Sequence, residues 1–351
     1  MSKFRYFFVL NLVFSYLTAQ VRWVELDAGY GFAIPHHEDM AYYFNDHAYR
    51  LSGSFLQKRS SALLYGSNIR KGISFLFIRA GEKNVVGNAF ALAYVLRYPL
   101  INKALFYLET RTGITYSSCT YTKDNYFFNA IGTHLNALID VALIKHFSFS
   151  KWQPFVHLSW NHYSNGALRM PNLGINVPVF GLGLSYQFAS SKPDSLIHYE
   201  KPYKPGIDVL ILGGIKQKKI EGPVSPVVTF SFNKLFKEQK SSYWLGGFDL
   251  IYDKSIQDNL VLLHDTILSA STNVKIGYHM GWVYAVGKLE VDIEIGSYLK
   301  NVNFSKEMIF ERLAYQYFFN NQFGLRLGLR AHFAKADVIE MGIVWRKSRK
   351  P

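Results

Sequence analysis

Strict alternation of apolar and polar residues is the most regular feature of the chain. Between Lys288 and Gly296 the apolar positions are Leu289, Val291, Ile293 and Ile295, and the positions between them hold Glu290, Asp292 and Glu294. Between Gly324 and Phe333 the apolar positions Leu325, Leu327, Leu329 and Ala331 alternate with a set that contains Arg326, Arg330 and His332. Because successive side chains of a strand point to opposite faces, both stretches predict strands with one apolar face. We expect the acidic and basic strands to pair their charges across a polar lumen, and a solvated face is the alternative.

Strands are predicted throughout the rest of the chain as well. The candidates lie near residues 22–32, 47–58, 72–80, 88–98, 104–116, 129–148, 153–164, 176–189, 206–216, 225–236, 242–252, 270–282, 309–319 and 337–347. With the two strands above this makes about 16, and 12 or 14 stays open because neighbouring candidates could merge. The pattern predicts an all-β fold, an antiparallel transmembrane β-barrel of about 12–16 strands with its longer polar connections outside.

The composition favours such a barrel over a soluble enzyme. Aromatic residues make up 17% of the chain and charged residues 18%, and the mean hydropathy is +0.01. After the first residues, no stretch approaches the roughly 20 consecutive apolar residues of a membrane helix. Apolar residues spread evenly in this way suit strands that alternate between lipid and lumen. The net charge of +14 favours an anionic membrane surface as a partner.

The N-terminus predicts export. Lys3 and Arg5 precede the short apolar run 6–17, which ends in the sequence Thr18-Ala19-Gln20. This order of a basic, an apolar and a small-residue segment indicates a signal peptide, residues 1–19, that is cleaved after Ala19. Export excludes nucleic acid as a partner.

A Ser-, Lys- and Pro-rich stretch divides the remainder. We assign residues 20–190 to a first barrel segment, 191–205 to a linker and 206–351 to further strands that complete the same barrel. The alternative is an eight-stranded barrel followed by a C-terminal β extension. The stretch before the linker ends in Tyr186-Gln187-Phe188, an aromatic end typical of a last barrel strand.

Candidate chemistry lies on the strand near 153–164. His162 and Ser164 share a face of this strand, and a hydroxyl beside an imidazole is the minimum for a base-activated nucleophile. Their phase continues the apolar set Val156, Leu158 and Trp160. We therefore expect both on the lipid-facing wall, where polar groups are costly unless they have a function. Asn176 begins the apolar set of the next strand, and we expect it beside His162.

At these residues the chain resembles the PagL family of outer-membrane lipid A 3-O-deacylases. The resemblance rests on three segments, His162-Tyr163-Ser164-Asn165, Pro171-Asn172-x-Gly174 and Tyr186-Gln187-Phe188. In that family the motif lies on the last two strands of an eight-stranded barrel. The likeness therefore covers at most residues 20–190, and we expect no counterpart for the residues that follow.

The resemblance implies a role for each matching residue. Ser164 would attack an acyl ester, His162 would move its proton, and Asn165 would help to hold the oxyanion. The family's third catalytic residue is a glutamate, and Asn176 stands at the matching position. No Asp or Glu occurs between Asp140 and Asp194, so the family acid has no nearby replacement in the sequence.

The resulting hypothesis is a lipid A deacylase of the cell outer membrane, a carboxylic ester hydrolase that needs no cofactor and no metal. Arg169 is a candidate contact for a phosphate of lipid A, and an ordinary loop charge is the alternative. The rival function is a non-catalytic barrel, either a pore or a lipid-binding protein. The acyl chain that is cut, the role of residues 191–351 and the oligomeric state stay open.

Overall fold

The computed structural model describes residues 21–35, 38–44, 46–58, 69–101, 104–190, 204–239, 242–264, 270–286, 288–300, 308–333 and 335–349. The signal peptide predicted for residues 1–19 lies outside the described residues, and so do residues 191–203 of the predicted linker. Strands dominate the described part of the chain, as the alternation predicts.

The first eight strands are β1 (Val21–Phe32), β2 (His47–Lys58), β3 (Arg70–Arg79), β4 (Asn88–Ile101), β5 (Phe106–Ser117), β6 (Leu135–His146), β7 (Trp152–Ser164) and β8 (Ile175–Ser190). The next eight are β9 (Lys204–Gln217), β10 (Val224–Gln239), β11 (Ser242–Asp253), β12 (Val274–Val286), β13 (Leu289–Lys300), β14 (Ile309–Phe318), β15 (Phe323–His332) and β16 (Lys335–Arg349). Helical structure in the described residues is limited to α1 (Glu38–Ala41), α2 (Ser255–His264) and short 3-10 turns at Tyr42–Phe44 and Ala270–Asn273. Of these described helices, none has the length and apolar character required to cross a membrane.

Each set of eight strands closes on itself. In the first set β1 pairs antiparallel with both β2 and β8, so that Val21 lies opposite Ser190 and Gly31 opposite Val179. In the second set β9 pairs with both β10 and β16, and Asp208 lies opposite Arg346. The chain therefore forms two closed, eight-stranded antiparallel barrels.

This architecture confirms the all-β antiparallel barrel fold, but the expectation of one barrel was wrong. Residues 206–351 do not complete the barrel that residues 20–190 begin. Alternation along a strand is the same in a large barrel and in two small ones, because it reports which face is apolar and not which strand is the neighbour. Eight strands are sufficient for closure around an interior filled with side chains.

The described chain divides into two compact units. One unit contains the first barrel, and the other contains the second barrel together with the connections β5–β6 and β7–β8.

The lumen of the first barrel is filled by buried ion pairs. Arg97 contacts Glu25 and Glu109 at 2.6 Å each, and Arg50 contacts Asp27 at 2.6 Å and Asp140 at 3.2 Å. Each of these side chains is almost completely buried. A charge removed from water is tolerated where partners with good hydrogen-bond geometry surround it, as they do here.

The lumen of the second barrel is filled in the same way. Arg346 contacts Asp208 at 2.6 Å and Glu290 at 2.7 Å, and Arg326 donates to Asp292 and Glu294. The acidic strand β13 and the basic strand β15 thus pair their charges across the lumen, as predicted from the alternation.

The outer walls of both barrels are apolar. The large hydrophobic side chains that alternate with the lumen residues are exposed along the strands, among them Leu26, Leu51, Phe75 and Leu182 in the first barrel and Ile211, Phe248, Ile293 and Ile343 in the second. Exposed apolar bands of this kind are the surface that a transmembrane barrel presents to lipid.

Candidate active site

Strand β7 separates its side chains cleanly between lumen and wall. His157, Ser159 and Asn161 are buried in the lumen, whereas Leu158 and Trp160 are exposed on the wall. His162 follows in the phase of the wall and is half-buried. An imidazole therefore interrupts the apolar stripe near the end of this strand.

Asn176 lies directly opposite His162 on the neighbouring strand β8. The His162 Nδ1 and Asn176 Oδ1 atoms are 2.8 Å apart, which is a hydrogen bond. The same Oδ1 atom accepts a hydrogen bond from the indole Nε1 of Trp160 at 3.3 Å. The backbone of Asn176 is also fixed, because its carbonyl oxygen accepts a bond of 2.9 Å from the Ile34 amide. Three side chains on the outer wall thus form one hydrogen-bonded group.

Ser164 is the last residue of β7 and lies two positions after His162. Side chains at i and i+2 of a strand project from the same face, with their Cα atoms about 6.5 Å apart. Ser164 as a whole is only 4% exposed, so the residue is largely enclosed at the end of the strand.

The nearest acidic residue in the sequence, Asp140, is not available as a third member of this group. Asp140 lies in the lumen on β6, where its carboxylate contacts Arg50 at 3.2 Å and Arg111 at 3.3 Å. Asn176 is thus a hydrogen-bond partner of the imidazole at the position where the resemblance implies a glutamate.

The connection after Ser164 is organised by two asparagines. The backbone amide of Asn165 donates to Asn172 Oδ1 at 2.8 Å, and the Asn165 side-chain Nδ2 donates to the Arg169 carbonyl oxygen at 2.8 Å. Both asparagines are buried, whereas Arg169 is exposed. One side-chain N–H of Asn165 is thus used within the loop, and Arg169 extends from its surface.

The loop belongs to the same compact unit as the second barrel, and residues of that barrel contact it. The Gln217 backbone amide donates to the Ala167 carbonyl oxygen at 2.8 Å, and Gln217 Oε1 accepts from the Met170 amide at 2.7 Å. Gly166 has a φ of +64°, and a Cβ there would lie 2.3 Å from Ile339 Cγ1. Only glycine fits this position without strain.

Three residues of this region were not predicted from the sequence, in addition to the predicted His162, Ser164, Asn176, Asn165 and Arg169. Trp160 was interpreted only as part of the apolar stripe, although its position two residues before His162 on the same face was a usable signal. Asn172 was noted in the resemblance without a role, and nothing in the sequence indicates Gln217. Within the described residues no cluster of three or more His, Cys, Asp or Glu side chains suits a metal ion.

Comparisons with known protein families match both halves of the chain. Residues 26–188 match the model of the lipid A 3-O-deacylase family, PagL. Residues 206–350 match the model of the acyloxyacyl hydrolase C-terminal domain, so the expectation that this part has no counterpart was wrong. A search of curated proteins found no match.

Solved structures with similarity to the chain include two outer-membrane proteins. A mutant of the porin of Rhodopseudomonas blastica is 10% identical, with 93% of this chain and 99% of that chain covered and a TM-score of 0.20. The outer membrane protein Omp33 of Acinetobacter baumannii is 8% identical, with 94% and 98% covered and a TM-score of 0.19. The two family models follow the two barrels along the chain and together cover most of it, and the chain belongs to the PagL family of lipid A deacylases and acyloxyacyl hydrolases.

Proposed function

We propose that this protein is a serine esterase that removes an ester-linked hydroxyacyl chain from lipid A in the outer membrane. Family membership and the barrel fold point to an outer-membrane deacylase. The observation that carries the proposed mechanism is the place of His162 in the wall phase of β7, hydrogen-bonded to Asn176 and two residues before Ser164 in the chain.

The wall is the right surface for this substrate. Lipid A remains in its leaflet, and its ester bonds lie at the boundary between headgroup and acyl chains. A nucleophile at the end of a membrane-spanning strand meets this depth without extraction of the lipid. A polar group on this wall is expensive unless it has such a use.

The proposed reaction has two steps. In the first, Ser164 Oγ attacks the ester carbonyl carbon while His162 takes the hydroxyl proton, and the proton then passes to the departing sugar oxygen as the C–O bond breaks. In the second, a water attacks the acyl-enzyme, His162 takes a proton from that water, and the fatty acid leaves as the proton returns to Ser164. No electrons are transferred, and the reaction needs no co-reactant other than water.

Two loop residues complete the proposal. Asn165 retains a second side-chain N–H that we assign to the oxyanion, and the nearby carboxamide of Asn172 is a further candidate donor. One such donor is worth about 10²–10³ in rate. Arg169 is exposed and is proposed to meet a phosphate of the lipid A headgroup.

The structure gives the rival pore function little support. In both barrels the lumen is occupied by buried Arg, Asp and Glu side chains rather than by an open channel. Eight-stranded barrels have interiors only wide enough for such side chains. The remaining rival is a barrel that binds lipid A without cleaving it.

Mass spectrometry of lipid A separates these functions. Cells would express the natural chain, the Ser164→Ala variant or the Ser159→Ala variant, with correct folding checked by heat-modified electrophoretic mobility of the membrane-extracted protein. Ser159 is the matched control, because it lies on the same strand but faces the lumen. We expect one hydroxyacyl mass to be lost with the natural chain and with Ser159→Ala, and none with Ser164→Ala. Unchanged lipid A with the natural, folded protein would refute the deacylase.

A further inference from the structure

Trp160 makes a polar contact that its place on the apolar wall does not require. Its side chain is 47% exposed beside Leu158, a position typical of an aromatic residue that faces lipid. Its partner across the β7–β8 pair is Pro178, whereas Asn176 is the diagonal neighbour. The indole nevertheless donates its N–H to Asn176 Oδ1 at 3.3 Å.

This contact indicates which end of the Asn176 carboxamide faces His162. A carboxamide has an oxygen that accepts hydrogen bonds and a nitrogen that donates them, and the two ends are nearly identical in shape. An indole N–H is only a donor. The end of Asn176 that meets Trp160 must therefore be the oxygen, and the same oxygen lies 2.8 Å from His162 Nδ1.

The orientation of the amide in turn determines the tautomer of His162. With an oxygen acceptor at Nδ1, that nitrogen carries the proton, and Nε2 is left with the lone pair that a general base requires. If the amide rotated by half a turn, its NH₂ group would face Nδ1 and favour the opposite tautomer. In serine hydrolases, the wrong tautomer of the catalytic histidine severely lowers kcat.

An asparagine requires such control, and a carboxylate does not. Both ends of a carboxylate are acceptors, so either orientation holds the imidazole in the same tautomer. The need to fix the orientation of the side chain therefore arises because position 176 holds an asparagine, where the resemblance implies a glutamate.

We propose that Trp160 is a positioning residue that fixes the orientation of the Asn176 carboxamide and, through it, the basic tautomer of His162. The proposal rests on the serine–histidine mechanism proposed above. It explains why an indole, rather than a purely apolar ring, stands two residues before the histidine on the wall.

The first test is a double-mutant cycle on purified protein in detergent with lipid A as substrate. Trp160→Phe keeps an aromatic ring but removes the donor, and we expect kcat to fall about two- to tenfold, the effect of one hydrogen bond on an equilibrium. The change should affect kcat more than KM. In the Asn176→Asp background, which restores an acceptor at both ends, the same Trp160→Phe change should have no effect on kcat.

A matched control exists on the same strand. Trp152 is also exposed on the wall and packs against the Tyr186 ring, with centroids 4.5 Å apart. Trp152→Phe should leave kcat unchanged. If Trp160→Phe behaves like Trp152→Phe, or if its loss of kcat persists undiminished with Asn176→Asp, the proposal is overturned.

The second test does not depend on activity. Nitrogen-15 NMR of labelled imidazoles reports which ring nitrogen carries the proton, and the His162 signals are identified by their absence from His162→Gln. We expect the Nδ1–H tautomer in the natural chain and in Trp152→Phe, and a mixture in Trp160→Phe. A pure Nδ1–H tautomer in Trp160→Phe would refute the role of Trp160 even if the natural chain proved inactive on lipid A.

Discussion

The two barrels share their architecture but differ in one region of their outer walls. Both have eight strands and a lumen filled by buried ion pairs. In the first barrel, the outward set on the last two strands includes His162 and Asn176. In the second barrel, the outward positions of the last two strands are apolar throughout their centres, namely Leu325, Leu327, Leu329, Ile339, Met341 and Ile343.

This difference between the two outer walls distinguishes polar residues that stabilise the fold from polar residues that are candidates for catalysis. Charged side chains are abundant in both lumens, where they are buried and form ion pairs with their neighbours. The informative polar groups are the few on the lipid-facing wall, because nothing in the architecture of an eight-stranded barrel requires them. The second barrel is thus an internal reference for the first.

The largest expected effect comes from replacing a histidine in each barrel. His162→Gln should lower kcat on lipid A by about 10²–10⁴-fold, the usual contribution of a general base, with the unfolding temperature unchanged. His279 of the second barrel is buried in the lumen, with its Nε2 2.9 Å from Asn233 Oδ1 and its Nδ1 3.2 Å from Asp249. His279→Gln should instead lower the unfolding temperature and leave kcat unchanged. An equal loss of kcat in both folded variants would contradict the assignment of a catalytic role to the wall histidine and a structural role to the lumen histidine.

The next effect should be the same in both barrels. Arg97→Met removes the cation that Glu25 and Glu109 share, which leaves Glu25 with Arg70 at 3.5 Å and Glu109 with Arg111 at 2.8 Å. Arg346→Met removes the cation that Asp208 and Glu290 share. Each change should lower the free energy of unfolding by about 3–5 kcal/mol, measured by urea titration in lipid vesicles.

The control for these two variants is Lys254→Met. The Lys254–Asp258 pair is partly exposed at 3.7 Å, and its loss should cost at most about 1 kcal/mol. A large loss for Arg97→Met and a small one for Arg346→Met would show that the second lumen is less tightly organised than its contacts indicate.

The smallest expected effect tests whether both walls face lipid. Leu182→Arg in the middle of β8 and Ile343→Arg in the middle of β16 place a cation on each apolar wall. Each should lower the free energy of unfolding from a bilayer by about 2–4 kcal/mol, whereas Leu182→Met and Ile343→Met should have little effect. A penalty for Leu182→Arg alone would mean that only the first barrel is embedded.

The faces of the strands were predictable, but the closure of the barrels was not. Alternation placed Arg326 and Asp292 in a common lumen, where they form an ion pair. It could not indicate that Ser190 lies opposite Val21, because the pairing of a first strand with a last one leaves no periodic signal. The strand number was therefore close, and the division into two barrels was missed.

For the candidate site, too, the sequence predicts which face each residue occupies but not which residues contact each other. The phase of β7 and β8 predicts that His162 and Asn176 share the wall, and the register places them opposite each other. The diagonal contact from Trp160 depends on that register and on the rotamer of the indole, neither of which a sequence shows. The hydrogen bonds of Gln217 join residues far apart in the chain, and only the folded structure brings them together.

Closure by first and last strands also sets the order in which this protein can be assembled. β1 has no second neighbour until β8, more than 100 residues later, is in place, and β9 waits in the same way for β16. Until then each half exposes an unpaired strand edge, the kind of edge that templates aggregation, and non-local pairing of this type is slow. The chain passes through this vulnerable stage twice. The strands of the first barrel can close without the C-terminal half, but the loop after Ser164 gains its contacts with Gln217 and Ile339 only when β9 and β16 have folded.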